Sequence, residues 1–287
     1  MTVYLSGAFV PKERAVISVE DRGFIFGDGI YEVVRVIDGR IFAWPSHAAR
    51  LARGLAGIRI AFGAAEIEGL RSVCERLVND NGFGGGEATV YMQVSRGAAP
   101  RTHHFPPAGT KPTVYASASR FVVPRDQRDH GVKAITFPDF RWLRCDLKTV
   151  NLLGAVLARQ AATEAGAYEA ILIRDGVVTE GAATNAFAVV DGVLCTHPLG
   201  NLILPGITRE VVVALIRENG IALEERAVTQ SELLRASELF ICGTTTDVTP
   251  VISLDGKPVG TGAMGPVTKR LQALLDARLY AAVGAGR

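Results

Sequence analysis

Residues 170–197 read AILIRDGVVTEGAATNAFAVVDGVLCTH, and this stretch sets the character of the second half of the chain. Its two Asp-Gly dipeptides, at 175–176 and 191–192, each separate two runs that are rich in β-branched and aromatic residues. Asp-Gly suits the positive φ angles of a two-residue type I′ turn, so each dipeptide predicts a β-hairpin. The Asp-Gly dipeptides at 38–39 and 255–256 predict two further hairpins for the same reason.

The remaining Asp-Gly dipeptide lies in RGFIFGDG at residues 22–29, a segment with three glycines. Glycine has no side chain, so this cluster predicts a close approach between backbone segments and not a hairpin. Helical spacing of apolar residues, together with glycine boundaries, predicts five helices elsewhere. Their ranges are 46–58 (capped by Ser46), 64–80, 149–166 (mostly buried), 206–220 and 266–283.

The elements fall into two unequal parts. Strand-like runs at 87–97 and 111–123 belong with the first two helices, and the polar stretch 124–131 follows them. We therefore predict an N-terminal α/β domain over 1–120, a linker over 121–131 and a C-terminal domain over 132–287. Hairpins with helices packed around them predict a mixed α+β architecture and not a doubly wound parallel sheet.

The composition excludes several classes of function. The net charge is 31 − 29 = +2, which argues against nucleic acid or an anionic membrane as the main partner, since both need a basic face. The four cysteines are widely spaced, so we expect reduced thiols. No apolar run approaches the ~20 residues of a spanning helix, and the first residues do not resemble a signal peptide, so we expect a cytoplasmic protein. The tandem His103-His104 has poor geometry for chelation, and we expect no metal.

Three segments could carry chemistry. Lys148, one of only six lysines, lies just ahead of an apolar helix; it is either a nucleophilic amine or a side chain that reaches water. Glu180 precedes small residues, and if it is buried it needs a partner such as a protonated pyridine or an arginine. Residues 206–208 begin a helix with free N–H groups and a hydroxyl, which suits a phosphate but is also an ordinary helix start.

In this order the segments resemble the class IV (fold type IV) pyridoxal-phosphate enzymes over nearly the whole chain. The resemblance rests on E-x-x-x-x-N-x-F at Glu180, Asn185 and Phe187, then Thr196, then L-x-G-I-T-R over 204–209. Within the family, the D-amino acid aminotransferases are similar at DRGFIFGDGIYEVV (21–34), RGAAPRTHHFP (96–106), RWLRCDLKTVNLLGAVLA (141–158) and ICGTTTDVTPV (241–251). The resemblance implies a small N-terminal α/β domain and a larger C-terminal domain with a hairpin-rich pseudo-barrel.

The resemblance also implies roles at the cofactor, pyridoxal 5′-phosphate. Lys148 is expected to hold it as a Schiff base and then to carry a proton between the substrate α-carbon and the cofactor. Glu180 is expected to keep the pyridine nitrogen protonated, which makes the ring an electron sink. The expected phosphate ligands are Arg50, Ile207, Thr208 and Thr244, with Leu204 packed on the ring.

For the substrate, the resemblance implies a carboxylate trap formed by Tyr31, Arg101 and His103. The last two lie on a loop that is expected to reach into the neighbouring subunit of a homodimer. The implied reaction moves the amino group of D-alanine or D-glutamate to a 2-oxo acid in two half-reactions. A branched-chain aminotransferase, an (R)-amine transaminase, an aminodeoxychorismate lyase and a non-catalytic cofactor-binding protein are the alternatives. Gly243 and Ala182-Ala183 stand where the subgroup often has serines, so a hydroxyl contact to the cofactor is expected to be missing.

Overall fold

The computed structural model describes residues 1–281, and these fall into two compact units. Unit 1 contains Met1–Val122 and Leu147–Leu152, and unit 2 contains Val123–Asp146 and the described residues from Leu153 onward. The boundaries predicted around residues 121–131 stay a prediction, and the predicted end at 287 lies outside the described residues. No helix among the described residues is long and apolar enough to cross a membrane.

Unit 1 is an antiparallel sheet with helices on one face. Its described strands are ordered β2-β1-β6-β5-β3-β4, and its core lies between the sheet and the two long helices α2 and α3. The elements are β1 (Thr2–Leu5), β2 (Ala8–Pro11), α1 (Arg22–Phe26), β3 (Gly29–Ile37), β4 (Arg40–Ile41), α2 (Trp44–Gly57), α3 (Ala64–Asp80), β5 (Glu87–Ser95) and β6 (Thr113–Arg120).

The glycines of residues 22–29 make the close approaches that the sequence predicts. A Cβ atom on Gly29 would lie 2.9 Å from the carbonyl oxygen of Val94, and one on Gly23 would lie 2.7 Å from Cβ of Ser95. Both distances are shorter than real Cβ contacts, so neither position accepts a side chain without movement. This packing holds α1 and the start of β3 tightly against the end of β5.

Unit 2 is built on a mixed sheet. Its strands are ordered β12-β11-β10-β13-β14-β7-β8-β9, with β15 paired to β14. Because β9 leads directly into β10, the sheet curls on itself. The elements are α4 (Arg125–His130), β7 (Val132–Pro138), α5 (Leu153–Glu164), β8 (Glu169–Arg174), β9 (Val177–Gly181), β10 (Asn185–Val190), β11 (Val193–Thr196), α6 (Ile207–Glu218), β12 (Leu223–Glu225), α7 (Gln230–Leu233), β13 (Glu238–Gly243), β14 (Asp247–Leu254), β15 (Lys257–Pro258) and α8 (Pro266–Ala281).

All four predicted Asp-Gly hairpins are confirmed. In each, the aspartate has a φ of 45° to 51° and the glycine a φ of 74° to 83°. The flanking residues pair directly, as in Val190 with Val193 and Arg174 with Val177. The hairpin turns are therefore set by local backbone preference.

Two details of the helix predictions were wrong. Ser46 does not cap a helix, because α2 begins two residues earlier and its N-cap position is Ala43. The helix predicted over 149–166 begins at Leu153, and within a single chain only Ala158 and Ala162 of α5 are buried. The larger apolar residues of α5 are exposed.

The stretch predicted as a linker contains the helix α4, whose Arg128 is buried and forms ion pairs with Asp247 and Asp276.

Candidate active site

Lys148 contacts Tyr31 within unit 1. The Nζ atom of Lys148 donates to the Tyr31 hydroxyl at 3.2 Å and lies 4.2 Å from the centre of the ring. The backbones are also joined, because the Tyr31 N–H donates to the Lys148 carbonyl at 3.0 Å and Ile30 forms a bridge with Thr149. Within this unit, no carboxylate of the described residues pairs with the Lys148 amine, so it is not held in a salt bridge there.

Arg50 lies in a buried charged triad that the sequence did not predict. Its Nε and Nη2 atoms each donate to the Glu32 carboxylate at 2.7 Å, and His47 Nδ1 lies 2.8 Å from the same carboxylate. Burial would raise the pKa of Glu32, but Arg50 and His47 lower it to about 2. Glu32 is therefore ionised at neutral pH and anchors the proposed phosphate ligand to strand β3.

Arg101 and His103 both contact Phe26, the last residue of helix α1. The Arg101 guanidinium carbon lies 5.3 Å from the centre of the Phe26 ring, and the His103 ring lies 5.9 Å from it. Both side chains are exposed. No hydrogen bond or ring contact joins either residue to Tyr31 within the described part of unit 1, so a single copy of the unit brings together two of the three trap residues.

Glu180 is buried in unit 2 and each of its carboxylate oxygens has donors. Arg141 Nη1 donates at 2.5 Å, the Asn185 side-chain amide at 2.9 Å, and the Leu204 N–H at 3.0 Å. Burial raises the pKa of Glu180 to about 7, against the opposing effect of Arg141 and the Leu204 N–H. This arrangement orients the carboxylate and lets it be charged at or slightly above neutral pH.

The start of helix α6 fits a phosphate. Its N-cap residue is Gly206, which offers no side chain to the helix, so the N–H groups of Ile207 and Thr208 have no partner among the described residues of unit 2. A Cβ on Gly206 would lie 2.0 Å from Asn185 Oδ1, so only glycine leaves this space open. Thr244 lies in the turn between β13 and β14, and Gly243 before it approaches Ala183 and Thr184.

Sequence reasoning missed Glu32 and Arg141. Glu32 shares the buried parity of strand β3 with Ile30 and Val34, so a carboxylate at a core-facing position was the available signal. Arg141 gave no comparable signal, because it lies 39 residues from Glu180 in an irregular segment. The roles expected of Lys148, Glu180, Leu204 and Thr208 stay predictions.

The chain is similar to known proteins over most of its length. A family model described as amino-transferase class IV matches residues 29–254. The D-alanine aminotransferase of Bacillus licheniformis is 46% identical over 96% of each chain, and that of Staphylococcus haemolyticus is 42% identical over 94% of this chain and 95% of the relative. The crystal structure of the Escherichia coli branched-chain amino acid aminotransferase superposes with a TM-score of 0.87 at 29% identity, covering 94% of this chain and 92% of that chain.

The chain therefore belongs to the class IV aminotransferases, a family of pyridoxal 5′-phosphate enzymes. The residues present fit this cofactor. Unit 1 offers an amine with no carboxylate partner of its own, and unit 2 offers an oriented buried carboxylate and an uncapped helix start with unpartnered N–H groups.

Proposed function

We propose that the protein is a D-amino acid aminotransferase that moves the amino group of D-alanine or D-glutamate to 2-oxo acids such as 2-oxoglutarate. The observation that carries the proposal is the contact between Lys148 and Tyr31, which holds a primary amine beside a residue of the proposed carboxylate trap. The high identity to relatives named D-alanine aminotransferase supports the choice of substrate.

Pyridoxal 5′-phosphate supplies an aldehyde carbon to which amines add and a protonated ring that draws electrons from the α-carbon. Lys148 would hold the aldehyde carbon, and Glu180 would hold the proton on the pyridine nitrogen. The Ile207 and Thr208 N–H groups would bind the phosphate at the positive end of α6, with Arg50 and Thr244 as further donors. Leu204 would pack on the ring.

Lys148 is also the proposed acid–base group. In the first half-reaction its Nζ atom would move a proton from the substrate α-carbon to the carbon that was the cofactor aldehyde, and in the second half-reaction it would move a proton in the opposite direction. A base that is already tethered at the reacting centre needs little reorganisation, which favours this assignment. The Tyr31 hydroxyl, 3.2 Å away, accepts an N–H of the free amine and limits its movement.

Arg101 and His103 are the proposed ligands of the substrate carboxylate. An arginine fork binds both oxygens of a carboxylate, while a histidine adds a single donor. Their exposure on Phe26 supports a role outside their own unit. We propose that this loop reaches the site of a neighbouring subunit, where Tyr31 completes the trap.

A homodimer accounts for an apolar surface on unit 2. Leu153, Val156 and Leu157 on helix α5 are each more than half exposed, and Phe140 and Leu143 are too. The segment before the helix is in contact with it, because a Cβ on Gly154 would lie 3.1 Å from Arg141 Cγ. Large exposed apolar side chains grouped on one helix and the segment before it are typical of an interface, which supports the proposed homodimer. The four cysteines are buried free thiols, which supports a reducing, cytoplasmic location.

The test adds D-alanine and L-leucine separately to the purified protein with bound cofactor and follows the cofactor absorbance. We expect D-alanine to convert the cofactor to its amine form and L-leucine to leave it unchanged. Conversion by L-leucine alone would make the protein a branched-chain aminotransferase. Conversion by an (R)-amine without a carboxylate, with D-alanine inert, would make it an amine transaminase. Release of 4-aminobenzoate from aminodeoxychorismate would make it a lyase.

A pair of lysine variants tests the assignment of the amine. Lys148→Ala is expected to abolish turnover, because the chain then has no group to hold the aldehyde carbon. Lys12→Ala is the matched control, since Lys12 is an exposed lysine of the same unit. Retained turnover in Lys148→Ala would contradict the role of Lys148.

A further inference from the structure

One carboxylate in unit 1 binds two nearly buried arginines. Asp28 accepts from Arg22 Nε at 2.9 Å, and from Arg96 Nε at 2.7 Å and Nη2 at 2.9 Å. Arg22 and Arg96 are 3% and 7% exposed. Burial would raise the pKa of Asp28, but the two arginines lower it, so the carboxylate is ionised and the cluster carries a net positive charge.

The two arginines also bind a loop, which we define as residues 98–111. Arg22 Nη1 donates to the Thr102 carbonyl at 2.7 Å. The Arg96 guanidinium lies over the Phe105 ring at 3.8 Å, and Arg59 lies over the same ring at 4.6 Å. The first attachment point, Thr102, directly follows Arg101 and precedes His103. The second, Phe105, lies two residues after His103.

The base of the loop is closed by backbone contacts. Gly97 has a φ of +92°, and a Cβ on it would lie 2.0 Å from the carbonyl oxygen of Lys111. The Ala99 N–H donates to the Glu20 carbonyl at 3.2 Å, beside a bridge between Asp21 and Ala98. The loop therefore has a fixed base, and the arginine contacts are what hold its far part.

We infer that Arg22, Asp28, Arg96 and Phe105 are positioning residues that hold the loop 98–111 in the conformation in which Arg101 and His103 bind the substrate carboxylate. The inference rests on the proposed function of Arg101 and His103. Arg22 is anchored by Asp28 and fixes the backbone at Thr102, while Arg96 fixes the Phe105 ring. Phe26 contacts both proposed carboxylate ligands, Arg101 and His103.

Asp28 helps to orient both arginines, because it accepts one N–H of Arg22 and two of Arg96. The carbonyls of Ile58 and Arg59 accept two further hydrogen bonds from Arg96. An arginine that makes two or more directed hydrogen bonds loses little further freedom when it binds a third group. Lysine keeps the charge but cannot donate in a fork, so an Arg96→Lys change removes the geometry without removing the positive charge. If Arg96 acts by orienting the loop, Arg96→Lys makes the loop more mobile. If Arg96 acts only by attracting an anionic substrate, Arg96→Lys leaves the loop unchanged.

The experiment uses the holoenzyme of two variants, Arg96→Lys and Phe105→Leu. Phe105 is partly exposed, so Phe105→Leu removes the platform under Arg96 without opening the core. We expect hydrogen exchange of the 98–111 amides to become faster and KM for D-alanine to rise about tenfold, with kcat nearly unchanged. The matched controls are Arg35→Lys and Phe121→Leu, because Arg35 is also a buried arginine that pairs with a carboxylate and lies over a phenylalanine ring.

Unchanged exchange of the loop in both variants would overturn the inference, and so would faster exchange with an unchanged KM. Equal effects in the Arg35 and Phe121 controls would also overturn it, because they would show a general loss of stability. Arg101→Leu separates the inference from the proposed function. If Arg101→Leu leaves KM for D-alanine unchanged, the carboxylate role of Arg101 is wrong, whereas the exchange rates still report whether the arginines hold the loop.

Discussion

Arg141 donates from Nη1 to Oε1 of Glu180 at 2.5 Å, and the far side of its guanidinium is held by Asp139. The Asp139 carboxylate accepts from Arg141 Nε and Nη2, both at 2.9 Å. Arg141 is thus aimed at Glu180 by a second carboxylate. A buried glutamate without such a partner would take up a proton and could not stabilise a cation next to it.

Replacing Arg141 with methionine is expected to move the acidic limb of the kcat–pH profile to higher pH. Burial already raises the pKa of Glu180 to about 7, and loss of the Arg141 charge removes an effect that lowers it. Below the new pKa, Glu180 is neutral and cannot hold the proposed proton on the pyridine nitrogen. Steady-state kinetics over about three pH units, from about pH 6 to about pH 9, measures the shift. Arg141→Lys is the control, and superimposable profiles for wild type and Arg141→Met would contradict the prediction.

Replacing Glu32 with glutamine is expected to lower the free energy of unfolding by about 3–5 kcal/mol, because Arg50 then lacks its buried counter-charge. The pKa of Glu32 is lowered from 4.5 to about 2 in the folded state. The stabilisation is therefore fully present above pH 4.5 and is lost as the pH falls towards 2. Urea unfolding at several pH values measures both effects.

The contribution of Glu32 to acid sensitivity is tested in the same variant. Glu32→Gln is expected to lose less stability than wild type as the pH falls from 4.5 towards 2. Glu13→Gln, at an exposed glutamate, is the control and should follow the wild type. Identical acid profiles for Glu32→Gln and wild type would show that the buried pair does not carry this dependence.

Gly243→Ser is expected to tighten cofactor binding about three- to tenfold, because it adds a hydroxyl to the turn proposed to bind the phosphate. The position has room, because a Cβ on Gly243 meets no atom closer than 3.7 Å. Serine at Gly206 is expected to weaken binding, because its Cβ would lie 2.0 Å from Asn185 Oδ1. Titration of the cofactor-free protein with pyridoxal 5′-phosphate measures both. Weaker binding in Gly243→Ser would contradict the assignment of this turn to the phosphate.

Glutamate at Leu157 is expected to dissociate the proposed dimer, because it buries a charge in the exposed apolar face of α5. Sedimentation equilibrium of wild type and Leu157→Glu measures the mass. Leu234→Glu is the control, since Leu234 is a similarly exposed leucine outside α5. A wild-type monomer, or a variant that stays dimeric at the wild-type dissociation constant, would contradict an interface at this face.

Local features of the fold were predictable. The Asp-Gly turns, the range of α3 and the glycine-driven close approach of residues 22–29 follow from backbone preferences or from a hydrophobic period within one segment. The start of α2 was not predictable from Ser46, because an alanine in the left-handed region precedes the helix there. The exposure of α5 could not be read from its sequence either, since a buried helix and an exposed helix can have the same apolar period.

Sequence patterns and the family resemblance indicated Lys148, Glu180 and the start of α6 as candidate cofactor-binding positions. The partners of these groups were not predictable, because a side chain's partner depends on the register of strands and the path of loops that are distant in sequence. Arg141 meets Glu180 across 39 residues, and Arg22 reaches Thr102 across 80.

The sequence by itself determined the hairpin turns, the range of α3 and the identity of the chemical groups, because each depends on residues that are close together in the chain. Only the tertiary structure decided which charges neutralise one another: Glu32 with Arg50, Glu180 with Arg141 and Asp28 with its two arginines. Buried charges must be paired to stay ionised, and pairing is a property of packing in three dimensions.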